Sequence, residues 1–163
     1  MTERQEARQV TALIWGVKES FRRYVEGSGG IIEVGSGAER TDDGAIAFAA
    51  GADHLTLGAD GKLGGRGAFV GEVRFEAHGG MLAVRLIDPA IEIGPETATI
   101  TAADTPARDY RVEVARLDLP AAELNGAGEL VVPVKLAIDG SHLLGGHYPP
   151  STPLDPVRFI LAG

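Results

Sequence analysis

Two hydroxyl-bearing side chains in the stretch WGVKESFRRYVEGSGG are spaced so that they can act together. Ser20 and Tyr24 are four residues apart, and residues four apart lie on one face of an α-helix. If the stretch is helical, both hydroxyls can reach one bound molecule, with Tyr24 at the end of the buried face. The structural alternative stays open, because a tyrosine often packs its ring and donates its hydroxyl hydrogen to a backbone carbonyl.

Two further residues of chemically useful types stand in distinctive local settings. Tyr148 lies in GGHYPPSTPLDPV, where prolines stiffen the backbone. His78 follows an alternating apolar pattern and precedes two glycines, which also fits a polar residue at the tip of a hairpin. Taken alone, each of these two residues is a weak indication of function.

Common catalytic and metal-binding motifs are missing from the sequence. No serine lies in G-x-S-x-G, and no P-loop or G-x-G-x-x-G follows a predicted strand. The pair His142 and His147 is a weak zinc signal, because no third ligand is fixed near it. Asp42 and Asp43 lie in a polar segment and are expected to form a solvated turn rather than a carboxylate dyad.

The composition predicts one domain, residues 1–163, and disfavours several classes of function. A net charge of -8 argues against nucleic acids and anionic membranes as partners. The absence of cysteine excludes disulfides, thiolate metal sites and cysteine nucleophiles. No stretch reaches the roughly 18 apolar residues of a membrane helix, and no signal-peptide core follows Met1. As written, the chain is therefore expected to be cytoplasmic.

Hydrophobic periodicity predicts a mainly β fold with one N-terminal amphipathic helix. Apolar residues recur at helical spacing from Val10 to Val25, and GSGG ends that helix. Residues 68–87 have a period of two, which predicts a hairpin with His78 at its tip. Further short strands are predicted at 31–34, 45–48, 54–57, 91–93, 97–101, 110–119, 130–138 and 157–161. Their number predicts an antiparallel sandwich or barrel-like sheet on which the helix packs.

Three separated motifs together resemble the HtaA domain, a bacterial haem-binding module of haem-uptake systems. They are WGVKESFRRYV near the start, GRGAFVGEVRFEAHGGMLAVRLIDPAIEI in the middle and GGHYPPSTPLDPVRF near the end. The resemblance covers nearly the whole chain, from Leu13 to Phe159, in the family's order. Family members are commonly secreted or anchored at the cell surface, with a signal peptide and a C-terminal hydrophobic span.

The resemblance implies a haem site with a metal-binding tyrosine. Tyr24 would be the axial ligand of the iron of ferric haem b, and His78 would hydrogen-bond the phenol oxygen. Ser20 would face a haem propionate, and Tyr148 would complete the pocket. The implied partners are haem itself and other haem-transfer proteins.

The energetics of a phenolate ligand assign most of the stabilisation to the iron. A tyrosine phenol has an ordinary pKa of about 10, so its ionisation at pH 7 costs about 4 kcal/mol. One hydrogen bond from a neutral histidine contributes on the order of 1 kcal/mol. We therefore expect Tyr24→Ala to abolish specific ferric-haem binding and His78→Ala only to weaken it.

Iron reduction should weaken the phenolate bond, which offers a release mechanism. Besides Ser20, the propionates would need positive charge from Arg22, Arg23 or Arg66, although the first two belong to the polar helix face.

Two other functions remain open from the sequence. An enzyme could act on another hydrophobic molecule, such as a polyketide or steroid, with Tyr24 and His78 as a proton-transfer pair. A partner-binding module would use exposed strand edges and need no pocket. We favour a non-enzymatic haem-binding domain, and the sequence leaves its oligomeric state and the role of His147 undetermined.

Overall fold

The computed structural model describes residues 7–104 and 110–163. Within these residues the chain forms fourteen β-strands and two α-helices. The helices are α1 (Glu19–Gly27) and α2 (Ile138–Leu143). The strands are β1 (Arg8–Trp15), β2 (Ile31–Gly35), β3 (Glu39–Arg40), β4 (Ile46–Ala50), β5 (Thr56–Leu57), β6 (Leu63–Gly64), β7 (Arg66–Val70), β8 (Glu72–Ala77), β9 (Leu82–Ile93), β10 (Ala98–Ala103), β11 (Arg111–Leu117), β12 (Glu123–Leu124), β13 (Leu130–Leu136) and β14 (Pro153–Leu161).

Eight of these strands close into an antiparallel barrel. Their order around the barrel is β1, β4, β7, β9, β10, β11, β13 and β14, and β14 pairs again with β1. Closure pairs the backbone groups that an open sheet leaves exposed at its edges. The predicted mainly β fold, with a barrel-like sheet and a helix early in the chain, is therefore confirmed.

Strand β9 belongs both to the barrel and to a smaller extension that carries α1. Residues 90–92 of β9 pair with β7, whereas residues 82–87 pair with β8, which in turn pairs with β2. Asp88 separates the two halves at a φ of 48°. Its carboxylate accepts the Gly71 N–H at 3.0 Å, between β7 and β8. This bend directs the β8–β9 hairpin and its His78 tip out of the barrel wall.

Helix α1 packs on the extension through one apolar face. Phe21 and Val25 are buried, and the Phe21 ring meets Phe75 of β8 edge to face, with ring centroids 5.1 Å apart. Such aromatic pairs contribute about 0.5–1.5 kcal/mol beyond simple burial. Alternate residues of β8 and β9 face the same core, as the period of two predicts. Neither helix in the described part of the chain is long and apolar enough to span a membrane.

The predicted helix from Val10 to Val25 is wrong in its first half, which is strand β1. A register shift between Val10 and Ala12 interrupts the pairing of β1 with β14. As a result, the buried residues Val10, Leu13 and Trp15 lose the strict alternation of a strand and imitate helical spacing. Val17 then adopts a φ of 65° between the strand and α1.

Helix α2 was not predicted, because the segment 130–138 reads as one continuous strand. The strand β13 ends at Leu136, and α2 occupies six residues. Gly140 lies inside this helix, where glycine is intrinsically unfavourable. A Cβ at this position would approach the Val114 carbonyl oxygen to 2.0 Å. Close packing of α2 on β11 therefore requires glycine at position 140. Because glycine has a low helix propensity, the same residue makes the helix hard to predict from the sequence.

Candidate functional site

The start of α1 is fixed by a carboxylate from the far end of the chain. Asp155 on β14 accepts the Glu19 backbone N–H at 3.0 Å and an N–H of Arg22 at 2.7 Å. Arg22 also donates to the Gly16 carbonyl at 2.8 Å. Lys18 at the N-cap makes no side-chain cap, so Asp155 supplies the capping acceptor. The expectation that Arg22 lies on a solvated face is wrong, because its side chain is buried against Asp155.

The end of α1 lies against the end of β8, and a glycine makes this possible. The Gly30 N–H donates to the Val25 carbonyl at 2.9 Å. A Cβ on Gly30 would approach the Glu76 carbonyl oxygen to 2.2 Å, so only glycine allows the chain to leave the helix so close to β8. This contact brings Tyr24, in the last turn of α1, beside His78 at the end of β8.

Tyr24 and His78 form a short hydrogen bond. Tyr24 Oη and His78 Nε2 are 2.5 Å apart, and the tautomer of His78 determines which atom donates. The two ring centroids are 5.6 Å apart. The expected burial of Tyr24 is corrected, because 42 % of this residue is exposed. Tyr24 lies in the last turn of α1, where it is much more exposed than the packed Phe21 and Val25 on either side of it.

Ser20 and Tyr148 form a second hydroxyl pair one helical turn away. Their hydroxyl oxygens are 3.1 Å apart, and the Tyr148 ring packs against Phe21 with centroids 6.4 Å apart. Ser141 Oγ donates to the Tyr148 carbonyl at 2.5 Å, which ties this segment to α2. Lys18 Nζ lies 5.7 Å from the centre of the Tyr148 ring. The pair therefore has a positive charge beside it.

The four residues predicted from the sequence thus lie together as two hydrogen-bonded pairs along one side of α1. The three arginines considered from the sequence for the propionates are each paired with a carboxylate, Arg23 with Glu19 at 3.8 Å. Arg66 donates to Asp53 at 2.9 Å, and Arg22 is held by Asp155. Lys18, whose Nζ donates to the Pro153 carbonyl oxygen at 2.9 Å, is a further cation beside the hydroxyl pair, and its position two residues before Ser20 in WGVKES is the signal that could have identified it.

The surface around the Tyr24–His78 pair is open and partly apolar. Cβ atoms added at Gly79 and Gly80 would have no heavy atom within 4 Å. Met81, the next residue of the hairpin tip, is 90 % exposed. The hairpin tip therefore offers open space and an exposed apolar side chain.

A cavity of about 240 Å³ touches the site at the hairpin tip, where Gly30, Glu76 and His78 line it, but a larger cavity lies elsewhere. A cavity of about 470 Å³ lies beside β11 and β13, lined by residues that include Arg116, Lys135 and Ser151. None of the four predicted site residues lines this cavity. The candidate site is therefore identified by its converging polar groups rather than by an enclosed volume.

The histidine pair and the aspartate pair noted in the sequence form no metal site among the described residues. Within the described ranges, His, Asp and Glu side chains form no group of three or more that could hold a metal ion. Asp43 lies in a turn, where it accepts hydrogen bonds from Thr41 and, at 2.9 Å, from Arg158. The Thr41 hydrogen bond is the main cause that lowers the pKa of Asp43. Asp43 is thus a turn residue, as the sequence predicts.

Three solved structures with a similar fold come from Corynebacterium glutamicum. The N-terminal domain of HtaA is 20% identical with a TM-score of 0.68, and the match covers 99% of this chain and 98% of that chain. The heme binding protein HtaB is 20% identical with a TM-score of 0.67, over 96% and 94% of the two chains. The C-terminal domain of HtaA is 22% identical with a TM-score of 0.62, over 95% and 99%. At these identities the likeness shows the fold alone.

Sequence comparison assigns the family independently of the fold. No curated protein sequence matches the chain. The HtaA family model, described as Htaa, matches residues 11–160. The matched region contains Ser20, Tyr24, His78 and Tyr148, and it spans well over half of the sequence. The chain therefore belongs to the HtaA family.

Proposed function

We propose that this chain binds ferric haem b through the phenol oxygen of Tyr24 and acts in haem uptake, transfer or storage. The observation that carries the proposal is the 2.5 Å contact between Tyr24 Oη and His78 Nε2 on an open surface of an HtaA-family domain. A structural relative that is described as a heme binding protein, HtaB, supports haem as the ligand.

The donor set fits a haem with oxidised iron. When bound, haem supplies a ferric iron to which an oxygen donor can bond, and tyrosine is a known axial ligand of such iron. The 42 % exposure of Tyr24 leaves its oxygen accessible. The partly apolar surface, with the exposed Met81 and the open glycines of the tip, suits the face of a porphyrin.

His78 can move the proton that metal binding releases. A phenol must lose its proton to become a strong oxygen ligand. His78 Nε2 is within hydrogen-bond distance of the Tyr24 oxygen, so in the tautomer with an unprotonated Nε2 it can accept that proton. The resulting N–H then donates to the phenolate and holds it in place. His78 would thus be a positioning residue that acts through Tyr24.

The second pair supplies partners for a propionate. Hydroxyl groups donate hydrogen bonds to carboxylates, and the Ser20 and Tyr148 hydroxyls already converge at 3.1 Å. Lys18 adds a positive charge beside Tyr148. This local cation reconciles an anionic ligand with a net charge of -8, because charges act most strongly at short range.

A titration with ferric haem tests the proposal. Three proteins are compared: the wild type, Tyr24→Phe, and the control Tyr110→Phe, which removes the hydroxyl of another exposed tyrosine. We expect stoichiometric binding by the wild type and the control. Tyr24→Phe should lose at least about 100-fold in affinity, or about 3 kcal/mol. Equal affinity and equal absorption spectra for wild type and Tyr24→Phe would contradict the proposal.

The same titration separates the enzymatic alternative. A Tyr24–His78 proton-transfer pair acting on a polyketide or steroid needs a substrate pocket that excludes water. The exposure of both side chains favours haem at an open surface over such a pocket. If the wild-type protein binds no haem, the enzymatic function becomes the favoured hypothesis.

A further inference from the structure

We propose that His147 is a second iron ligand of this site, which replaces the Tyr24 oxygen when the iron is reduced. This inference rests on the proposed function. The His147 and Tyr24 ring centroids are 6.0 Å apart, with the ring planes at 48°. The phenol therefore contacts two imidazoles, and His78 is the one hydrogen-bonded to its oxygen. The ring contact between His147 and Tyr24 gives no role to the ring nitrogens of His147.

The backbone around His147 is anchored on both sides while its side chain is exposed. The Gly146 N–H donates to the Ser141 carbonyl at 2.9 Å, and Ser141 Oγ donates to the Tyr148 carbonyl. His147 itself lies on the surface. Rotation about its side-chain bonds can therefore redirect a ring nitrogen without moving the chain.

A glycine makes room for this imidazole. A Cβ on Gly145 would approach His147 Cδ2 to 3.3 Å and Leu82 Cδ1 to 3.7 Å. Gly145 also adopts a φ of 79°, a conformation that glycine tolerates best. The segment thereby lies close to the start of β9, beside the hairpin tip that carries His78.

Ligand preference changes with the oxidation state of iron. Ferric iron is the harder ion and suits a phenolate oxygen, whereas softer ferrous iron favours nitrogen donors. A neutral imidazole offers a nitrogen lone pair without first losing a proton. Among the side chains that contact Tyr24, His147 is the imidazole that is not already hydrogen-bonded to the phenol oxygen.

The exchange balances with one external electron and one proton. A one-electron reductant converts ferric to ferrous iron. The Tyr24 oxygen leaves with the electron pair of its bond and takes up a proton, which His78 Nε2 is placed to return. A lone pair on a ring nitrogen of His147 forms the new bond. His147 would thus retain haem under reducing conditions, in which a lone phenolate site would release it.

The test uses the haem-loaded protein as wild type, His147→Phe and the control His142→Phe. Phenylalanine keeps an aromatic ring at position 147, and His142 is an exposed histidine in the same segment. Ferric spectra are recorded first. Dithionite is then added without oxygen, and the ferrous spectrum and the rate of haem transfer to excess apomyoglobin are measured. Circular dichroism and a second variant, His147→Ala, control for folding.

We expect the three ferric spectra to agree. After reduction, wild type and His142→Phe should show a nitrogen-ligated spectrum, which both His147 variants lack. Loss of the ligand should accelerate ferrous haem transfer by about 10-fold or more. Identical ferrous spectra and transfer rates in wild type and His147→Phe would overturn the inference. It would also be overturned if the nitrogen-ligated ferrous spectrum disappeared in His78→Asn, because His78 would then be the nitrogen ligand. Ferric binding that does not need Tyr24 contradicts the proposed function itself, and no ferric binding overturns both.

Discussion

The two ends of α1 differ in burial: the start is held by a buried ion pair, whereas the end carries an exposed phenol. At its start, Arg22 is buried and paired with Asp155 at 2.7 Å, and the same carboxylate caps the helix. At its end, Tyr24 is 42 % exposed and contacts a glycine-rich hairpin tip through His78. The Arg22–Asp155 pair therefore positions the helix from the end opposite the proposed iron ligand Tyr24. This arrangement keeps the phenol in place while its surroundings stay open.

The comparison predicts a separation of effects. Substitutions of the Arg22–Asp155 pair at the start of α1 should change the free energy of unfolding and leave the haem spectrum intact. Substitutions at its end should change haem binding and leave stability nearly intact, because ligand sites are commonly the less stabilised parts of a fold. The following variants test this separation.

Asp155→Ala should have the largest effect on stability. It removes the cap of α1 and leaves the Arg22 guanidinium, whose side chain is only 10% exposed, without its carboxylate. We expect a loss of roughly 2–4 kcal/mol in the free energy of unfolding, measured by urea denaturation. The control Asp53→Ala breaks the exposed pair with Arg66 and should cost no more than about 1 kcal/mol. Equal costs for the two variants would show that the start of α1 is not the anchored end.

Gly30→Ala should affect both properties, because Gly30 connects the two regions. The added Cβ would meet the Glu76 carbonyl oxygen at 2.2 Å and push the end of α1 away from β8. Such overpacking costs about 1–3 kcal/mol. Gly27→Ala is the matched control, since a Cβ there would have no heavy atom within 4 Å. If Gly30→Ala matches the control in denaturation and in haem titration, the close approach does not position Tyr24.

His78→Asn should weaken binding without abolishing it. Asparagine tolerates the left-handed backbone at this position, where φ is 55°, so the substitution isolates the loss of the imidazole. We expect about a fivefold loss of ferric-haem affinity, equivalent to about 1 kcal/mol for one hydrogen bond. Urea denaturation of the ligand-free protein should be almost unchanged. A complete loss of binding would assign His78 a larger role than tuning Tyr24.

The smallest effect concerns pH and the anchored end of α1. Asp43 borders the same cleft as Arg22 and Asp155. The Thr41 hydrogen bond, the Ala45 N–H and the charge of Arg158 lower the pKa of Asp43 below its ordinary 3.8. A lowered pKa stabilises the fold above pH 3.8 and loses that contribution as the pH falls further.

Because Asp43 is largely exposed, the contribution should be only a few tenths of a kcal/mol. Urea denaturation of wild type and Asp43→Asn at pH 6 and near pH 3 measures it. The stability gap between the two proteins should narrow towards the lower pH. A gap that is constant or widens on acidification would contradict the prediction.

The sequence predicts the β architecture better than it predicts the first element. Strict alternation in β8 and β9 gives both the hairpin and its buried face, because neither strand is interrupted there. In β1, the register shift near Val10 breaks the alternation. Local periodicity therefore cannot distinguish this strand from the start of the helix, and only pairing with β14 and β4 decides it.

For the site as well, local sequence patterns predict some contacts, whereas other contacts between residues distant in the sequence are not predicted. The spacing of Ser20 and Tyr24 and the family motifs identify the four candidate residues and the Tyr24–His78 contact from the sequence alone, but not the Ser20–Tyr148 hydrogen bond. The partner of Arg22 is 133 residues away, and its identity depends on barrel closure. The contact of His147 with Tyr24 likewise depends on the path of the chain after α2. No local pattern encodes either contact.

Resonance Raman spectroscopy of the ferric haem complex tests the bond between the Tyr24 oxygen and iron most directly. Excitation into the charge-transfer band should enhance phenolate vibrations in the wild-type complex and in Tyr110→Phe. These bands should be absent from whatever haem Tyr24→Phe retains. Phenolate bands that persist unchanged in Tyr24→Phe, or that are missing from the wild type, would contradict the proposal that Tyr24 holds the iron.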